Sequence, residues 1–69
     1  MSAVVSGADV VRALRQRGFE VVGQKGSHVK MRKEGRTVII PMHNEVRIGT
    51  LHSILRQAGL SMKELEALL

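Results

Sequence analysis

Two glycine-containing turns interrupt an alternating apolar pattern between residues 19 and 41, and this pattern constrains the fold most strongly. Apolar and polar residues alternate through three short segments, which is typical of strands buried on one face. The predicted strands are 19–23, 27–33 and 36–41. The turn at Glu34-Gly35 joins the second and third strands and sets Met31 opposite Val38 and His28 opposite Pro41.

The first turn allows two registers. A three-residue loop over 24–26 pairs Val21 with Val29 on the apolar face, whereas a two-residue loop at Lys25-Gly26 turns Glu20 toward that face. We therefore predict the three-residue loop. The face predicted to be buried carries Phe19, Val21, Val29, Met31, Val38 and Ile40. The opposite, open face carries Val22, His28, Lys30, Arg32, Thr37 and Ile39.

Helices are predicted both before and after the three strands in the sequence. Ser6 is suited to cap a first helix, and Gly18 is suited to end it in the left-handed conformation. A loop over 42–49 follows the last strand. Thr50 then predicts the cap of a second helix, and Gly59 predicts its end.

A third helix is predicted from Ser61, which forms a capping box with Glu64. Leu65, Leu68 and Leu69 are expected to complete the core. The element order is then α-β-β-β-α-α, an α+β fold in which helices cover one side of a three-stranded antiparallel sheet.

Composition limits the classes of partner. Eleven Lys and Arg against six Asp and Glu give a net charge of +5, which favours an anionic partner such as RNA, DNA, a membrane surface or an acidic protein. A solvated basic surface is the alternative. No apolar run reaches the roughly 18 residues of a membrane span, and the N-terminus is too polar and short for a signal peptide. A length of 69 residues predicts a single domain over residues 1–69. Because the chain has no cysteine, nothing points to an oxidising compartment, and we expect a cytoplasmic protein.

The tripeptide Gly26-Ser27-His28 is the candidate site, because it joins a close backbone approach, a hydroxyl and an imidazole. Nearby cations disfavour the imidazolium form, so we expect a neutral ring that accepts a proton from a ribose 2′-hydroxyl. The alternative is an exposed strand histidine without a chemical role. The residues expected to hold RNA phosphates are Lys25, Gly26, Ser27, Lys30, Arg32 and Arg36.

A second histidine, His43, follows Pro41 and is expected near His28. His43 is a candidate for protonating the leaving 5′-oxygen or for contacting phosphate, and the alternative is a loop histidine bonded to backbone. His52 is expected at the surface. No histidine pair or carboxylate cluster has metal-ligand spacing, since Glu45 alone accompanies His43, so no metal or other cofactor is expected.

Five short segments follow one another along the chain. They are Arg17-Gly18-Phe19, Gly26-Ser27-His28, Val38-Ile39-Ile40-Pro41-Met42-His43, Gly49-Thr50-Leu51 and Ile54-Leu55-Arg56-Gln57-Ala58-Gly59-Leu60. In order and spacing the chain resembles the HicA toxins of HicAB toxin–antitoxin systems. The resemblance implies a fold similar to double-stranded-RNA-binding domains and an mRNA interferase that cleaves RNA without a metal and slows translation.

The resemblance also implies that His28 is the catalytic histidine and that a HicB antitoxin covers the active face, where exposed Val22 and Ile39 suit a protein contact. The leading hypothesis is a metal-independent endoribonuclease acting on mRNA. Two alternatives remain: a non-catalytic RNA-binding module that uses the same face, and an adaptor that recognises an acidic protein.

Overall fold

A computed structural model describes residues 4–69 and contains three helices and three strands. In chain order the elements are α1 Gly7–Gln16, β1 Glu20–Lys25, β2 His28–Lys33, β3 Arg36–Pro41, α2 Ile48–Ala58 and α3 Met62–Leu68. The predicted element order and α+β class are confirmed. Residues 1–3 lie outside the described residues. The predicted domain of 1–69 begins with them, and so does the N-terminal stretch that was expected not to be a signal peptide.

The starts of α1 and α3 follow the predicted capping chemistry, and so do the ends of α1 and α2. Ser6 Oγ accepts a hydrogen bond from the Asp9 N–H, and the Asp9 carboxylate accepts one from the Ser6 N–H, both at 3.0 Å. Ser61 and Glu64 exchange the equivalent pair of bonds at the start of α3. The predicted cap at Ser6 and the predicted capping box at Ser61 are therefore confirmed, and Ser6 also forms a capping box with Asp9. Gly18 and Gly59, the predicted stops, have φ angles of 91° and 74°.

The three strands form one antiparallel sheet in the order β1-β2-β3. The predicted register of β2 and β3 is confirmed, with His28 opposite Pro41 and Met31 opposite Val38. Glu34 and Gly35 both have positive φ, at 48° and 81°, as a type I′ turn requires.

The predicted register of β1 and β2 is wrong. Gly26 and Ser27 form a two-residue turn, so Lys25 lies opposite His28 and Val21 lies opposite Met31. Gly26 has a φ of 58°, which suits the first loop position of such a turn. A β-bulge between Val21 and Gly23 takes up the extra residue. The bulge keeps Val21 on the same side of the sheet as Met31.

The core lies between the sheet and the helices, since α1 and α2 both contact β3 and α3 contacts both helices. Its buried residues are Val10, Ala13, Leu14, Phe19, Val29, Met31, Val38, Ile40, Val46, Leu51, Ile54, Leu55, Ala58 and Leu65. Two predicted members are wrong: Val21, on an edge strand, is 39% exposed, and Leu69, beyond the end of α3, is 54% exposed. Leu68 is partly buried against the core.

The segment after β3 is held by the residues at the start of α1 and just before it. The Val46 N–H donates to the Val5 carbonyl at 2.7 Å, and the Gly7 N–H donates to the His43 carbonyl at 2.9 Å. We call residues 5–7 and 42–46 together the N-terminal clasp. Val46, which falls in the predicted loop, is buried in the core. The chain therefore enters α2 early, with Arg47 at the N-cap, and the predicted cap at Thr50 is wrong.

Helix α2 also covers the outer edge of β3. The side-chain carbonyl of Gln57 accepts a hydrogen bond from the Ile39 N–H at 3.3 Å. The Arg36 guanidinium donates to the Gln57 backbone carbonyl at 3.1 Å, near the end of the helix. The sheet is thus closed on the helix side, and the opposite side of the sheet is left open.

Candidate nucleic-acid interface

The open face is the side of the sheet away from the helices, and its residues form three rows that cross the strands. The pairing of β1 with β2 and of β2 with β3 defines each row. The end row is Lys25, His28 and Pro41; the middle row is Gly23, Lys30 and Ile39; the far row is Glu20, Arg32 and Thr37. Val22, the bulged residue, adds a side chain beside the middle row.

His28 begins β2 and is exposed in the end row. Lys25 lies directly opposite it, which puts the two Cβ atoms about 4.5–5.5 Å apart. Lys30 follows on the same face of β2, about 6.8 Å along the strand. An accessible imidazole therefore has one cation across from it and another beside it. This arrangement suits an anionic ligand that also carries a group able to give up a proton.

A groove of about 700 Å³ runs along the open face. Its lining residues come from all three strands and from both the end and middle rows. They are Val22, Gly23, Gln24, Lys25, His28, Lys30 and Ile39. The groove therefore joins the candidate histidine and two lysines to two aliphatic side chains.

The turn residues lie at the end of the same face. Gly26 and Ser27 connect Lys25 to His28, and both are exposed. The Ser27 carbonyl accepts a hydrogen bond from the Met42 N–H at 2.6 Å, which fixes the turn against the segment after β3. A ligand on the end row would therefore meet the backbone of this turn.

His43 is exposed and lies two residues beyond Pro41 of the end row. Its backbone carbonyl is bound by Gly7, so the N-terminal clasp fixes the position of the chain there. The role of the His43 side chain, as a proton donor, a phosphate contact or a backbone-bonded loop residue, stays a prediction.

Two of the predicted phosphate-binding cations differ in where they lie. Arg32 is exposed in the far row, and its Nε donates to Thr37 Oγ1 at 3.3 Å. Arg36 lies on the helix side of β3 with Val38 and Ile40, and its guanidinium packs against Gly59 and donates to Gln57. The structure therefore brings Arg32 onto the open face and does not bring Arg36 there.

Other charges are engaged on the helix side. Arg12 pairs with Asp9, and Arg17 pairs with Glu64 at 3.1 Å. The pKa of Asp9 is lowered, mainly by a hydrogen bond from the Ser6 backbone. A hydrogen bond with the Ser6 side chain and the charge of Arg12 lower it further. Lys33 donates to the Arg17 carbonyl and lies 5.9 Å from the centre of the Phe19 ring. These groups stabilise helix ends and strand contacts.

Within residues 4–69, no group of three or more His, Cys, Asp or Glu side chains is placed to hold a metal ion. Over the same residues, no helix has both the length and the apolar character needed to cross a membrane.

Sequence reasoning missed one feature of the open face and one feature of the fold beside it. Gly23 and the bulge beside it help to form the groove, and a glycine within a strand is a known signal for a bulge. The N-terminal clasp was also missed. Its backbone contacts join residues far apart in sequence, and no local pattern around Gly7 indicates them.

The fold and the open face together define a small α+β protein with a three-stranded sheet whose exposed side carries a histidine among cations. The family model described as the HicA toxin of bacterial toxin-antitoxin matches residues 7–60, which is more than half of the chain. The protein therefore belongs to the HicA toxin family, as the sequence predicted. No individual curated protein matches the chain. Membership implies a cognate antitoxin as partner.

Proposed function

We propose that the protein is a metal-independent endoribonuclease, an mRNA interferase that cuts mRNA on the open face and so inhibits translation. Family membership supports a toxin. The observation that carries the assignment is the position of His28, exposed and directly opposite Lys25, with Lys30 next on the same face. His28 is the proposed general base. The cytoplasm, where mRNA is translated, is the proposed site of action.

In the proposed reaction, the His28 imidazole accepts the proton of a ribose 2′-hydroxyl. The freed oxygen attacks the adjacent phosphorus, and the bond from phosphorus to the 5′-oxygen breaks. The products are a 2′,3′-cyclic phosphate and a 5′-hydroxyl, which takes up one proton. General base assistance is typically worth about 10²- to 10⁴-fold in rate. His43 is the proposed auxiliary group that gives a proton to the leaving oxygen.

The cations of the open face would stabilise the charge that builds on the phosphate oxygens during attack. We assign this role to Lys25 and Lys30, which flank His28, and phosphate positioning to Arg32 and the turn residues Gly26 and Ser27. Arg36 is left out of the proposed site, because its guanidinium is bound to the end of α2.

The cognate antitoxin is proposed to be of the HicB type and to bind over the open face, where it would exclude RNA. Val22 and Ile39, which are exposed beside the lysines, would then contact it. The net charge of +5 favours an acidic surface on this partner.

The test compares His28→Ala with His52→Ala, a matched change at an exposed histidine on α2. We expect His28→Ala to slow cleavage of single-stranded RNA by about 10²-fold or more while RNA affinity and thermal unfolding stay near wild type. His52→Ala should behave as wild type. Cleavage should persist in EDTA and leave 5′-hydroxyl ends.

Products with 5′-phosphate ends would contradict the mechanism, and so would full activity in His28→Ala. A wild-type protein that binds RNA in a salt-dependent way without cutting it would indicate the non-catalytic RNA-binding module instead.

A further inference from the structure

An apolar strip crosses the middle of the open face and is formed by Val22, the aliphatic stem of Lys30 and Ile39, whereas the end row and the far row carry mainly charged or polar groups. Val22 and Ile39 are 51% and 41% exposed, and Lys30 lies between them on β2. The aliphatic stem of a lysine extends such a surface while its ammonium stays in water. The proposed chemistry uses His28 and the cations, and this apolar strip has no part in it.

Gly23 keeps the strip accessible. A Cβ at this position would meet nothing within 4 Å, and the φ angle of Gly23 lies outside the left-handed region. Neither packing nor backbone conformation therefore requires glycine here. The missing side chain leaves an open gap opposite Lys30, between Val22 and the end row, and the groove occupies that gap.

We infer that the groove between Val22, Gly23 and Ile39 is a subsite for one unstacked nucleobase of single-stranded RNA, with the adjoining phosphates on Lys25 and Lys30. This inference rests on the proposed ribonuclease function. The volume of about 700 Å³ lies in the range of about 300–1,000 Å³ typical of small-ligand sites. An apolar floor between cations matches a ligand that is flat and apolar in one part and anionic in the next.

Paired RNA fits this surface less well. A duplex presents phosphates and 2′-hydroxyls to a protein and keeps its bases stacked inside, so Val22 and Ile39 would have no partner. An unstacked nucleotide offers a base to the middle row. Its ribose then reaches toward the end row and His28.

The subsite would also assist the reaction. The bound base belongs to the nucleotide whose 2′-hydroxyl attacks, since that ribose must lie beside His28. Holding the base on the middle row restrains the ribose, and restraint near the attack geometry lowers the entropic part of the barrier. The base would therefore affect the rate of cleavage as well as RNA affinity.

The first experiment removes the base. A single-stranded RNA with a mapped cut is compared with an analogue that has an abasic ribose 5′ to the cut bond and retains the 2′-hydroxyl and phosphate. Wild type should cut the analogue about fivefold to tenfold more slowly, the scale of losing one apolar contact of a base. The base-bearing RNA, when annealed to its complement, should be cut more slowly than the single-stranded abasic analogue.

The second experiment removes the subsite. Gly23→Val fills the gap with a residue that suits a strand, and Ile39→Ser removes part of the floor. Each variant should cut both single-stranded RNAs at the slow rate, because the effects of two changes at one contact do not add. Gly49→Val is the control for Gly23→Val, because Gly49 also has open space around it and lies outside the groove. Ile48→Ser, at a residue 64% exposed, is the control for Ile39→Ser.

The outcomes separate the two proposals. Cleavage that does not depend on the base, or variants that slow the base-bearing and abasic RNAs by equal factors, would overturn the subsite and leave the ribonuclease intact. Loss of antitoxin binding alone in Gly23→Val and Ile39→Ser would make the strip a protein contact and also overturn the subsite. If wild type cuts nothing, the ribonuclease proposal fails and the subsite is tested by binding. A short RNA oligomer should then bind more tightly than its fully abasic form, and equal affinities would overturn the subsite.

Discussion

Gly7 begins α1 at the point where the helix meets the end of β3, and its replacement by alanine should disturb the N-terminal clasp. A Cβ on Gly7 would lie 2.2 Å from the Pro41 carbonyl oxygen and 2.8 Å from the Met42 Cα. Both neighbours are backbone atoms, so no side chain can rotate away. The Gly7 N–H also donates to the His43 carbonyl, which ties the same segment to the helix.

The cost follows from these distances. A Cβ is essentially never closer than 3.0 Å to such an atom, so the backbones must separate by about 0.8 Å, the difference between 3.0 and 2.2 Å. Overpacking of this kind typically costs about 1–3 kcal/mol, and the strained hydrogen bond adds about 1 kcal/mol. Alanine restricts the unfolded chain and returns about 0.4–1 kcal/mol. We expect a net loss of about 1–4 kcal/mol, or roughly 5–30 °C in Tm for a domain of this size.

The assay is urea unfolding of Gly7→Ala beside Gly49→Ala, a glycine in the first turn of α2 with nothing within 4 Å of an added Cβ. The first variant should unfold at lower urea with an unchanged m-value, and the second should gain about 0.4–1 kcal/mol. Equal stability of the two variants would refute the packing argument.

Two further predictions concern charged groups outside the proposed site. Hydrogen bonds from the Ser6 and Ser61 backbone lower the pKa of Asp9 and Glu64, so both carboxylates bind fewer protons when folded, and the free energy of unfolding should fall as pH drops below about 5. Urea unfolding measured across that pH range should show that the free energy of unfolding depends less on pH in Asp9→Asn combined with Glu64→Gln than in wild type. The same pH dependence in both proteins would contradict this prediction. Arg36→Met should lower the free energy of unfolding by about 1 kcal/mol and leave the rate of RNA cleavage within about twofold. Lys30→Met, a change within the proposed site, should slow cleavage and leave the free energy of unfolding unchanged. Slow cleavage with unchanged unfolding in Arg36→Met would return Arg36 to the site.

Local chemistry made much of the fold predictable. The capping boxes at Ser6 and Ser61 involve residues three apart, and the Glu34-Gly35 turn fixes the register of two strands by its own backbone conformation. Such signals need no knowledge of the rest of the chain. They supplied the element order and one correct hairpin.

The first hairpin was less predictable, because glycines at positions 23 and 26 allow more than one loop. The two-residue turn at Gly26-Ser27 keeps Val21 on the side of Met31 only because a bulge adds one residue to β1. The buried Val46, just before α2, donates a backbone hydrogen bond to Val5, which is distant in sequence. Contacts of this kind follow from the assembled fold and leave no local pattern.

The candidate site was predictable in part. Alternation along β2 placed His28, Lys30 and Arg32 on one face, as the structure has them. The cross-strand neighbour Lys25 was assigned to a loop because of the wrong register. For Arg36, the signal was present, since the same alternation puts it on the side of Val38 and Ile40, where the structure has it.

The hydrogen bond from Ile39 to Gln57 has a consequence for self-association. In an antiparallel strand every second N–H points outward, so Thr37, Ile39 and Pro41 form the outer rim of β3. Proline has no N–H, and the amide of Ile39 is already bound by Gln57. An incoming strand would find few donors to pair with along β3, which protects this edge of the sheet from edge-to-edge association.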